Sequence, residues 1–96
     1  MHVLASAIEL HIPESHSLKD KRTVLRPILD GLRNRHHVAV AETDHQDIWQ
    51  RAEIGVVAVS ASATLAAQIL DEAERFVWSF PEVEVLGATR TWMEED

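Results

Sequence analysis

The chain predicts a single α+β domain built as two layers, helices on a sheet, and three observations carry that prediction. Apolar residues alternate at period two in the first of four short strand-like stretches, two others are runs rich in Val, Ile and Ala, and in two longer stretches apolar residues recur at helical spacing. The two kinds of stretch are interleaved in the order strand, helix, strand, strand, helix, strand. Ninety-six residues with 46% hydrophobic content support one core and no second one, so residues 1–96 are read as one domain.

Each element follows from its own pattern. Over residues 3–12, Leu4, Ile8, Leu10 and Ile12 share a parity with Ser6, which marks a strand with one buried face, and Pro13 stops it. Ser17 then stands as an N-cap with Asp20 three residues on, a relative of the capping box. Leu18, Leu25, Ile28, Leu29 and Leu32 predict a first helix over residues 18–35, with Pro27 inside it expected to kink it by removing a backbone donor and crowding the Thr23 carbonyl. Residues 38–42 and 52–59 are rich in Val, Ile and Ala and bracket a polar segment, as two neighbouring antiparallel strands would. Ser62 caps a second helix whose inward stripe is read as Leu65, Ile69, Ala73, Phe76 and Phe80, supported by Leu70 and Val77. Pro81 ends that helix, residues 83–92 form the last strand, and Glu94, Glu95 and Asp96 are a solvated tail.

This order is the ferredoxin-like βαββαβ arrangement, a four-stranded antiparallel sheet with both helices on one face. The opposite face carries Val3, Ala5 and Ala7 and is both apolar and small-sided. Such a face is seldom bare, so a homo-oligomer formed through it is expected.

Charge is distributed unevenly. The net charge of −7 argues at first against a polyanionic partner, because affinity for nucleic acid comes largely from neutralised phosphates. Yet Lys19, Lys21, Arg22, Arg26, Arg33 and Arg35 are six of the nine basic residues, and only Asp20 and Asp30 interrupt them. That stretch carries +4 and the rest of the chain −11. On a helical wheel Lys19, Arg22, Arg26 and Arg33 fall within about 60° of one another, forming a stripe. With Lys21 these are the candidate RNA- or anion-binding residues; the alternative is a solvated helix face.

The second dense feature is Asp44, His45, Gln46, Asp47, Ile48, Trp49, Gln50 and Arg51, between two strands. It reads in two ways. As a binding loop, Trp49 is a stacking plate while Gln46, Gln50 and Arg51 donate hydrogen bonds. As a structural loop, Asp44 and Asp47 accept backbone hydrogen bonds to shape a turn, Trp49 covers the core edge and Arg51 pairs with a carboxylate. A metal site is disfavoured, because the adjacent ligands Asp44 and His45 point to opposite faces of an extended backbone. The six histidines are scattered, and no cysteine exists, so neither a metal nor another cofactor is expected.

The segments Glu9-Leu10-His11-Ile12-Pro13, Ser17-Leu18-Lys19-Asp20-Lys21-Arg22, residues 41–52 and Gly55-Val56-Val57-Ala58-Val59-Ser60 resemble the YlxP-like family of small bacterial proteins. The resemblance spans nearly the whole chain, and the polar loop is its most specific part. It implies the ferredoxin-like fold. Because members are often encoded beside translation-initiation and ribosome-maturation genes, it also implies an RNA or ribosome context, while the family's biochemical activity is unassigned.

Together these readings favour binding over catalysis. Acylphosphatases share the fold, but they need an arginine in the loop after the first strand, and here Glu14 occupies Pro13-Glu14-Ser15-His16-Ser17. No catalytic residue is assigned. The expectation is a small, cytoplasmic, non-enzymatic protein that binds RNA or a ribosomal particle. The alternative is a homo-oligomeric module for a protein or metabolite with no nucleic-acid role. The start has neither a basic leader region nor a cleavage site, and no stretch reaches the ~20 apolar residues of a membrane span.

Overall fold

A computed structural model describes residues 1–93; the tail read at Glu94, Glu95 and Asp96 lies outside the described residues. The elements are β1 (His2–His11), α1 (Leu18–His36), β2 (Ala39–Asp44), β3 (Arg51–Ser60), α2 (Ala63–Trp78) and β4 (Glu84–Trp92). The sheet runs β2-β3-β1-β4 with every pair antiparallel, and both helices lie on one face, as the ferredoxin-like order requires.

Alternation decides which strand residues meet the helices. In β1, Leu4, Ser6, Ile8 and Leu10 are buried while their neighbours are half-buried, and in β3 Ala52, Ile54, Val56 and Ala58 follow suit. Ser6 is the polar member of this set. Its hydroxyl donates to Glu74 of α2 at 3.0 Å, and the Arg90 guanidinium closes on Glu74 and Asp71 at 2.8–2.9 Å. One serine inside an apolar row is thereby satisfied, and β4 is tied to α2.

Both helices begin where the caps predicted. The Ser17 side chain accepts from the Asp20 amide at 3.0 Å, and the Asp20 carboxylate accepts in turn from the His16 amide at 3.0 Å. Ser62 accepts from the Leu65 amide at 3.2 Å. The first helix runs unbroken through Pro27 to a left-handed cap at His37.

The inward stripe of α2 differs from the sequence reading. Ala66, Leu70, Ala73 and Val77 are buried, and Leu65 is 48% exposed. The helix is turned by about 70° from the expected face. Two alanines on the sheet side let its backbone lie close to β1 and β3, which larger side chains would prevent. Ile69, Phe76 and Phe80 pack on the margin instead. Phe76 occupies the space above Gly31, which any Cβ there would fill, and its ring meets Phe80 edge-on at 5.1 Å. Leu29 is likewise marginal, while Leu25, Ile28 and Leu32 form the centre of the α1 contact.

Candidate functional site

Lys21 is the first residue to relocate. The sequence reading counted it among the candidate RNA- or anion-binding residues beside the stripe, whereas it is buried, 2% exposed, at the head of the apolar face of α1. Helical geometry accounts for this: Lys21 precedes Leu25, Ile28 and Leu32 by four, seven and eleven residues, all one face. That spacing was legible, and the charge of the residue masked it. Its ammonium nitrogen meets the carbonyls of His45, Gln46, Ile48 and Arg51 at 2.7, 3.3, 2.9 and 3.1 Å and the Glu42 carboxylate at 2.7 Å. Five oxygens share three N–H donors around one charge, much as carbonyls surround a bound metal cation. Lys21 is therefore withdrawn from any contact with an outside anion.

The polar loop closes around that ammonium. Asp44 accepts from the His45 amide at 2.7 Å, His45 adopts the left-handed conformation (φ 64°), and the Ile48 amide donates to the His45 carbonyl at 3.0 Å. Gln46 donates to the Glu42 carbonyl at 3.4 Å, and Gln50 donates to the carbonyls of Pro13 and Ser15 at 3.2 Å. Arg51 and His45 both meet the Glu9 carboxylate, at 3.0 and 3.2 Å. Burial pushes the Glu9 carboxyl up, but its contacts with Arg51, His45 and Glu53 outweigh that and hold it below the ordinary carboxylate range. Of the contacts the structural-loop reading expects, Asp44 and Arg51 make theirs, and His45, Gln46 and Gln50 add internal contacts that it did not name. Asp47 and Trp49 do not make theirs, and with Ile48 they form the exposed tip; Trp49 is 53% exposed.

The basic stripe itself lies outside. Arg22, Arg26 and Arg33 line a groove of about 230 Å³ between α1 and the edge strand β2, with Leu25, Leu29, Asp30 and Glu42 completing it. Arg33 donates to the Val40 carbonyl at 3.2 Å and faces Asp30 at 3.6 Å. Arg22 and Arg26 have no hydrogen-bond or ion-pair partner among the described residues, and Glu42 in the groove wall is already neutralised by Lys21. Lys19 is exposed but outside the groove. The structure therefore brings three of the five predicted cations together, leaves one nearby and removes one.

The uncovered sheet face carries Val3, Ala5, Ala7, Gly55 and Val57, with Thr89 and Thr91 from β4. These residues supply no aromatic ring, so the base-stacking sheet of an RNA-recognition motif is not available on them. Among the described residues no cluster of His, Cys, Asp or Glu is arranged to hold a metal ion, and no helix is long and apolar enough to cross a membrane.

Comparison with known proteins fits this architecture. Residues 3–90 match the family model described as "Protein of unknown function (DUF503)". The chain belongs to this family. It is similar to the Bacillus subtilis (strain 168) "Uncharacterized protein YlxP", 41% identical over 84 residues that make up 88% of this chain and 91% of the relative. Among solved structures it resembles a de novo designed protein with ferredoxin fold determined by solution NMR. That likeness has a TM-score of 0.52 and 12% identity, covering 99% of this chain and 88% of the other, and it shows the shared fold alone. Membership in the DUF503 family and the ferredoxin-like topology thus agree with the sequence reading.

Proposed function

We propose that this DUF503 member is a small cytoplasmic, non-enzymatic RNA-binding protein that meets RNA or a ribosomal particle through the exposed arginines of α1. The observation that carries the reading is the pair Arg22 and Arg26. One helical turn apart on a groove wall, both lack a counter-ion among the described residues, although the chain has sixteen acidic residues against nine basic ones. Arg35 and Arg75 are also unpaired among the described residues, but Arg22 and Arg26 are the unpaired guanidinium groups that share one groove wall, and two so placed are suited to phosphate oxygens. Arg33 at the far end of the groove and Lys19 beyond its near end extend the track.

The test is binding of a labelled single-stranded RNA at low salt, repeated with Arg22→Glu combined with Arg26→Glu. Affinity should fall strongly, and the dependence of log affinity on log salt should lose about 0.7 per phosphate contact removed. No binding by the native protein, or binding unchanged in the double variant, defeats the reading.

The bare sheet face favours a second reading, self-association with no nucleic-acid role. Val3, Ala5, Ala7, Gly55 and Val57 present a small-sided apolar surface of the kind that subunits cover. Light scattering at high concentration decides it. A mass that falls to the monomer on Val57→Lys supports this reading, and a native monomer removes it.

A further inference from the structure

We propose that the RNA taken by this site is single-stranded, with its phosphates on Arg22 and Arg26 and an unpaired base on the Trp49 indole, and that Lys21 is the positioning residue that makes groove and loop one site. This rests on the RNA-binding reading above and specifies its ligand.

Groove and loop share a wall. Glu42 lines the arginine groove, and its carboxylate lies 2.7 Å from the Lys21 nitrogen. The same nitrogen holds the carbonyl of Ile48 at 2.9 Å, in the residue before Trp49. The loop tip is thus anchored to the side of α1 next to Arg22, through one buried cation that touches both. No other side chain bonds to the Ile48 carbonyl, and the Asp47, Ile48 and Trp49 side chains make no hydrogen bond among the described residues. The backbone beneath the indole is held by Lys21 at four carbonyls and, directly after Trp49, by the Ile12 amide, which donates to the Gln50 carbonyl at 2.8 Å.

Chemistry divides the two halves. The groove offers the unpaired guanidinium groups of Arg22 and Arg26, with Arg33 facing Asp30 and Glu42 paired to Lys21, and suits phosphate. The loop tip offers an indole 53% exposed, an exposed Ile48 and the Asp47 carboxylate, and no cation. Asp47 repels a phosphate, whereas a neutral base stacks on an indole whatever its identity. A duplex keeps its base faces stacked inside and could use only the arginines; a single strand can turn one base out. The rings of β1 and β3 that an RNA-recognition motif would use are replaced here by Ala5, Ala7, Gly55 and Val57, and of the exposed indoles Trp49 is the one whose loop is joined to the groove wall, through Lys21.

The experiment compares short oligoadenylate RNA, duplex RNA of the same length and inorganic polyphosphate. Trp49→Ala should weaken the oligoadenylate about 5- to 100-fold, the usual worth of one stacked base, and leave polyphosphate unchanged. Lys21→Met should weaken the oligoadenylate by a similar factor, and combined with Trp49→Ala it should cost nothing more, because both remove the same stacked base. Multiplying effects would overturn the positioning role. Should Lys21→Met fail to fold, Glu42→Gln, which keeps all four loop carbonyls on Lys21, is expected to leave the Trp49-dependent factor in place, and its loss there overturns the positioning role. In a protein carrying Trp78→Phe and Trp92→Phe, emission from Trp49 should be quenched by the single strand and not by duplex or polyphosphate. A duplex bound as tightly as the single strand, or Trp49→Ala without effect, overturns the stacking. If the native protein binds neither oligoadenylate nor polyphosphate, the RNA reading itself fails; if it binds both equally and indifferently to Trp49, only the present inference does.

Discussion

Lys21 and Arg22 are neighbours in the chain and alike in charge, yet α1 turns them about 100° apart, into opposite environments. Lys21 lies on the stripe of Leu25, Ile28 and Leu32, where its charge is spent on five oxygens of the molecule itself. Arg22 lies on a groove wall with its charge unspent. The difference teaches that a basic run is two populations once the helix forms: the cation on the apolar face must find internal acceptors or not be buried at all, and only the other face remains for a partner.

The largest expected effect breaks that comparison from the inside. Lys21→Met leaves Glu42 and the loop carbonyls without their cation, so unfolding free energy should drop by about 3 to 5 kcal/mol, as for a buried ion pair that loses one partner. Arg22→Met, one residue on, should change it by less than ~0.5 kcal/mol. Urea denaturation of the pair measures both, and equal costs would mean that Lys21 is not the internal cation described.

Leucines on the same helix offer a second contrast. Leu32→Ala, at the buried centre, should cost roughly 2 to 5 kcal/mol, and Leu29→Ala, on the groove wall, clearly less. If Leu29 proved the costlier, the helix would be rolled toward β2 and the groove would be a core. At the entrance to α1, Ser17→Ala should remove about 1 kcal/mol by freeing the Asp20 amide. A neutral result would place the start of the helix elsewhere.

The smallest effect sharpens the comparison from the far side of the loop, where Glu9 receives Arg51 and His45. Its carboxyl is held below the ordinary glutamate value of 4.5 in the folded protein. The contribution of that carboxylate to stability is therefore present above 4.5 and is lost as pH falls through the lowered folded value. Chemical denaturation between neutral and strongly acid pH should show native protein and Glu9→Gln separated near neutrality and converging in acid. A gap constant with pH would mean that the loop does not lean on the Glu9 charge.

Much of this molecule can be read from residue order, because the forces that decide it are local. Period-two burial in β1 and β3, the caps at Ser17 and Ser62 and the stops at Pro13 and Pro81 depend on near neighbours, and they determined the order of elements and hence the ferredoxin-like sandwich. The roll of α2 did not follow. Its apolar residues span an arc too wide to name one centre; Ala73, Leu70 and Val77 are buried as read, but the choice of Ala66 over Leu65 belongs to how closely a helix can approach two strands. The helical spacing of Lys21 pointed inward all along, but burying an ammonium is prohibitive without acceptors, and those come from residues 42–51, which only the folded chain delivers. For the same reason the polar loop kept two readings in the sequence. Composition states which groups can donate, accept or stack; where they turn is decided by acceptors that only the folded chain brings up, the Glu9 carboxylate for His45 and the Pro13 and Ser15 carbonyls for Gln50, around a backbone held by Lys21 from twenty-four residues or more away.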